Sequence, residues 1–292
     1  MRIISAITGR NLRLFFRDPM NVFFSLLGAL IVFLLYVLFL GSLQESSITD
    51  AIPDADPALI SGFVDSWMFG GILALTTMTA SLGALGVFVE DAASGRFRDF
   101  LVSPLRRGQL VLGYLASAFI IGMAITLVVL IIALVYLWLV TDVVLSVGAV
   151  SRSVGWIALS TAAFTALWAF VVSFLRSIGA FSALSTIVGT VAGFVAGAYI
   201  ALGLFPDAVR EAVSALPFAQ SAMLLRTEFA GDSLSELVGG QEQEIDELSV
   251  MYGLSLEVGS WTIPLWFAAT ILAAMATIFT ALASARIRSR IV

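Results

Sequence analysis

Six stretches of this chain run without an ionised side chain for long enough to cross a hydrocarbon layer, and that pattern excludes most folds at once. They are Pro19–Gln44, Ser66–Val89, Gly108–Thr141, Ser153–Leu175, Ser177–Pro206 and Val258–Ala285. A bilayer core about 30 Å thick takes roughly 20 helical residues, so each stretch suffices. Membrane barrel strands would alternate polar and apolar residues over about ten positions. These runs do not alternate and are rich in Leu, Ala, Gly and Phe. With 60% of residues hydrophobic and 12% charged, the chain needs lipid as its solvent. The expected fold is an all-α membrane protein with six transmembrane helices in a single domain 1–292, the spans at about 20–42, 66–89, 108–140, 154–175, 178–204 and 261–285. The first span is too long for a cleaved signal peptide, and no small-residue cleavage pattern follows it.

Charge sets the orientation. Every basic residue is Arg, and twelve of the fifteen fall on one side: Arg2, Arg10, Arg13, Arg17, Arg96, Arg98, Arg106, Arg107, Arg176, Arg286, Arg288 and Arg290. Arg152, Arg210 and Arg226 lie on the other, with sixteen of the twenty acids. The positive-inside rule then puts both termini in the cytoplasm. Trp67, Trp138, Trp156, Trp261 and Trp266 fall near outer span ends, as rings at a headgroup interface would.

Three segments are not simple spans. Residues 1–18 place Arg2, Arg10, Arg13 and Arg17 on one helical arc beside Ile3, Ile4, Ile7, Leu14 and Phe15, the pattern of an interfacial helix with its arginines toward anionic lipid. Asp18-Pro19 breaks it from the first span. Between spans two and three, charges alternate with Phe97, Phe100 and Leu101, which predicts a short amphipathic helix, and Ser103-Pro104 reads as a helix start. The outer segment 205–259 holds ten carboxylates against two arginines. Its first part has two apolar-sided helical stretches separated by Pro217, expected to form a re-entrant or interfacial hairpin; from Gly231 it is expected to be an exposed acidic stretch.

What is missing narrows the function. Lys, His and Cys are all absent. A Walker A loop needs its lysine, so the chain is not its own ATPase. Zinc sites of the usual kinds, Ser-His-Asp arrangements and thiol nucleophiles go with His and Cys, so no catalytic residue, metal or resident cofactor is expected. The six uncharged cores offer no obvious seat for a proton relay. Energy must come from elsewhere.

The order of these features resembles the ABC-2 type export permeases, the family of drug-resistance, polysaccharide and lipid exporters. The resemblance rests on an elbow helix before span one and a cytoplasmic pattern with Glu90, Asp91, Gly95, Leu101 and Pro104 ending in Arg106-Arg107. An outer segment with Leu216-Pro217 and Leu225-Arg226 completes it. It implies a plasma-membrane permease that pairs with a second permease, identical or paralogous, and with two copies of a separate ATP-binding subunit that holds ATP and Mg; no nucleic acid partner is expected. Carried over, the coupling contacts would be Glu90, Asp91, Gly95, Arg96, Phe97, Arg98, Asp99, Phe100, Leu101, Pro104, Arg106 and Arg107, with Arg10, Arg13 and Arg17 nearby. The outer gate would involve Pro217 and Arg226, and spans one, two and five would line the path. Cargo would be hydrophobic or amphipathic, as in multidrug efflux. A gradient-driven carrier and a non-transporting sensor or assembly protein are the alternatives.

Overall fold

The computed structural model describes residues 2–97 and 107–290. Its six candidate spans are helices long and apolar enough to cross a membrane: Pro19–Ala51, Pro57–Ala93, Gly108–Val140, Val147–Val172, Ile178–Val195 and Leu265–Ile287. Span two therefore starts earlier than the uncharged stretch suggests and carries Asp65 within it. Span five ends nine residues before position 204, because the chain unwinds after Val195.

Helix α1 (Arg2–Phe16) ends where Asp18 caps α2 (Pro19–Leu35). The Asp18 carboxylate accepts from the backbone N–H groups of Met20 and Asn21, at 3.1 Å each, and Pro19 takes the first helical position, where no N–H is needed. Buried Ile7, Asn11 and Phe15 recur every fourth residue and form one face of α1. That face packs on α6 (Arg107–Val140). Above α2 the first span passes through a π-helical turn, Tyr36–Leu40, and continues as α3 (Gly41–Ala51). A Cβ on Gly41 would lie 2.8 Å from the Tyr36 carbonyl oxygen, so the turn needs glycine there.

Asp56 and Pro57 start α4 (Pro57–Gly83) in the same way that Asp18 and Pro19 start α2. Helix α4 is the hub of the fold. It touches α2, α3, α6, α7 (Val147–Val172), α8 (Ile178–Val195) and α10 (Pro217–Leu237), and twenty of its residues are buried. After a two-residue break it continues as α5 (Gly86–Ala93). Ser146 and Ser177 cap α7 and α8 by accepting from Ala149 and Ala180 N–H groups. On the far side α12 (Leu265–Arg290) packs along α7.

The outer segment is more ordered than its acidity suggests. It folds into α9 (Asp207–Ser214), α10, α11 (Glu242–Tyr252) and a hairpin of β1 (Glu257–Val258) and β2 (Trp261–Thr262). Helices α9 and α10 meet at Leu216-Pro217, where the break was expected. The second helix runs on to Leu237 and is buried against α4, α7 and α12; with α11 it makes most of the stretch expected to be exposed and acidic helical.

Candidate functional site

Three places in the fold gather polar chemistry. The first is the junction around Asp91, near the end of α5. Its carboxylate is fully buried and is held from three elements. Arg10 of α1 binds it in bidentate fashion at 2.6 and 2.9 Å. Arg96, just past α5, donates at 3.0 Å, and the Tyr114 hydroxyl of α6 at 2.5 Å. The bond to Asp91 raises the Arg10 guanidinium above its ordinary value. Around this centre Asn11 donates to the Ser117 hydroxyl at 3.0 Å, and Thr8 to the Gly113 carbonyl at 3.2 Å. Phe97 packs its ring against Phe88 and Tyr114. A buried carboxylate with two arginines and a hydroxyl is strongly coupled to all three. Helix α1, the tail of span two and the head of span three are thereby tied into one unit.

This arrangement alters one expectation. Arg10 does not face lipid with Arg13 and Arg17, which are exposed; it turns inward because Asp91 offers a buried counter-charge. Glu90 is exposed beside it. Gly95 has φ +77°, a left-handed turn after α5 that suits glycine. Arg107 begins α6. Arg98, Asp99, Phe100, Leu101, Pro104 and Arg106 lie outside the described residues.

The second place is a cavity of about 300 Å³ between α2, α4 and α8. Asn21, Ser25, Thr79 and Ser185 supply its polar lining, and Phe24, Leu82 and Val188 supply apolar wall; among the described residues no ionised side chain faces it. The Ser25 and Thr79 hydroxyls are spent on their own helices. Ser185 Oγ is buried with no hydrogen-bond partner among the described residues.

The third place surrounds Arg226 of α10, which is 1% exposed. Its guanidinium carbon lies 5.0 Å from the Trp67 ring centre, and Nη2 donates to the Gly197 carbonyl at 2.6 Å. A Cβ on Gly70 would lie 2.9 Å from Arg226 Cα, and one on Gly71 would lie 2.9 Å from Nη2. Gly197 (φ +64°) and Gly253 (φ +69°) border Nη1 with bare backbone. Burial lowers the guanidinium to about 10, so it stays charged at neutral pH. Trp67 is therefore a core residue rather than an interfacial one; its indole N–H donates to the Tyr252 carbonyl at 2.6 Å.

Sequence reasoning placed Arg226 in the outer segment but missed its surroundings. Gly70-Gly71 inside a span was the available signal, since paired glycines permit close backbone approach. Tyr114, Asn11 and Ser117 were missed as well, because single polar residues in long apolar runs carry no label for their partner. Of the glycines in the stretch expected as span five, Gly193, Gly197 and Gly203 meet Tyr199, Arg226 and Met251 of this same chain, whereas Gly179 and Gly189 face open space.

The sequence matches the family described as ABC-2 family transporter protein over residues 46–285. A search of curated proteins finds no match.

Proposed function

The chain belongs to the ABC-2 family of transporter proteins, a membrane component of ABC transport, and from that premise we propose that it is the permease subunit of an ATP-driven exporter. A separate ATP-binding subunit supplies the energy, since a chain without lysine has no Walker A loop. The observation that carries the reading is the Asp91 junction. A push on the segment that follows Phe97 reaches α1, α5 and α6 together, because one buried carboxylate bonds all three. Motion of that kind enters spans two and three as a rigid displacement rather than as local fraying.

The cavity between α2, α4 and α8 supports the cargo class. Its wall offers hydroxyl, amide and apolar contacts but no ionised group, and a small inorganic ion would find little there to replace its hydration. Hydrophobic and amphipathic molecules, drug-like or lipid-like, are suited to it. The excess of arginines on the Asp91 side supports a cytoplasmic position for that end, in a protein of the plasma membrane.

The test is reconstitution with the ATP-binding subunit that co-purifies with the chain. Export should require ATP, and replacing Arg96, Arg98 and Asp99 together by Ala should leave hydrolysis by the partner running while export falls at least tenfold. Unchanged export in that triple variant, or ATP hydrolysis by the purified chain alone, overturns the reading.

A further inference from the structure

Arg226 presents a problem that the fold leaves unsolved. Its side chain is buried and charged, and a buried charge normally has a counter-charge or a full set of acceptors. Among the described residues it has no ion pair and a single hydrogen bond, from Nη2 to the Gly197 carbonyl. Nε and Nη1 are both buried without a partner. Stacking on Trp67 satisfies the face of the guanidinium but not the N–H groups at its edge.

A second orphan shares the site. The Tyr36 hydroxyl is buried and unpartnered among the described residues, and the Tyr36 ring packs edge-on against the same Trp67 indole at 5.8 Å. Tyr36 starts the π-helical turn of span one, and such turns concentrate at functional positions. Gly197, whose carbonyl Arg226 holds, lies where span five unwinds: the Gly193 carbonyl accepts from both Ala198 and Tyr199 N–H groups instead of continuing the ladder. Two interruptions of spanning helices thus border the Trp67–Arg226 stack, one through Tyr36 on the indole and one through Gly197 on the guanidinium, an arrangement that suits an anionic group.

We propose that Arg226 and Tyr36 form a binding site for one oxyanion, a carboxylate or phosphate, with Nε, Nη1 and the phenol hydroxyl as donors. Guanidinium prefers oxyanions because its N–H groups match their spread-out charge. The oxyanion is either a free ion or the headgroup of an amphipathic molecule. Only the latter identity rests on the permease reading; binding to the chain itself does not.

The experiment measures the thermal unfolding of the purified full chain in neutral detergent, with a buffer free of phosphate and carboxylates as baseline and inorganic phosphate or dodecyl phosphate as probe. At about one hundred times the dissociation constant, a bound anion should raise Tm by ~5 °C. A rise with both probes assigns the site to a free oxyanion, and a rise with dodecyl phosphate alone assigns it to a headgroup. Arg226→Gln should abolish the rise. Tyr36→Phe, which removes a hydroxyl that no described residue uses and so keeps the fold, should weaken apparent binding about tenfold. No rise with either probe, or an equal rise in Tyr36→Phe, overturns the proposal. A chain that exports cargo with its partner yet shows no anion-dependent Tm loses this inference alone.

Discussion

At the residue scale, the two decisive groups are an acid and a base that differ in how they are compensated. Asp91 is surrounded by donors, whereas Arg226 has one acceptor and an indole face. Removing a partner from a buried ion pair costs more than the pair contributes, because the remaining charge is stranded. Asp91→Asn should therefore destabilise the chain by about 3 kcal/mol. Arg10→Ala should cost less, because Arg10 is partly exposed and Arg96 and Tyr114 remain on the carboxylate. The double variant should fall short of the sum by about 1 kcal/mol or more. Denaturant unfolding in detergent checks this, and strict additivity would show that the pair is not coupled.

At the scale of elements, the close approach of α4 and α10 depends on Gly70. A Cβ there would meet the backbone atoms Cα and N of Arg226 at 2.9 and 3.2 Å, and its Cγ at 3.0 Å. Gly70→Ala should destabilise by about 1–3 kcal/mol. Gly83→Ala, where nothing lies within 4 Å, should be neutral or stabilising by up to about 1 kcal/mol, since alanine favours helix. The two variants unfolded side by side test whether the glycines of span two are there for packing. The caps behave differently. Asp18-Pro19 was readable in advance as a break, and the same pairing at Asp56-Pro57 went unread although capping is local chemistry, fixed by neighbours in the sequence. The extent of α10 was not readable, because its polar second half becomes helical through packing on α4, α7 and α12.

At the scale of the whole molecule, orientation can be tested directly because the chain contains no cysteine. Single cysteines at exposed Arg17 and Gln243 should label oppositely with a membrane-impermeant maleimide: Gln243→Cys in intact cells, and Arg17→Cys only after permeabilisation. The reverse result would invert the topology. What the sequence by itself determined is the number of spans, the helical class, the elbow and the lack of an ATPase motif. Those depend on run length, charge and composition, which lipid and water read residue by residue. Which apolar face is core, that Arg10 turns inward, that Trp67 is buried and that Arg226 sits in a glycine cradle were decided only by tertiary structure. In a span that is apolar on every side, hydropathy carries no direction, so partners are chosen by shape and by a few polar atoms whose matches lie far away in the chain.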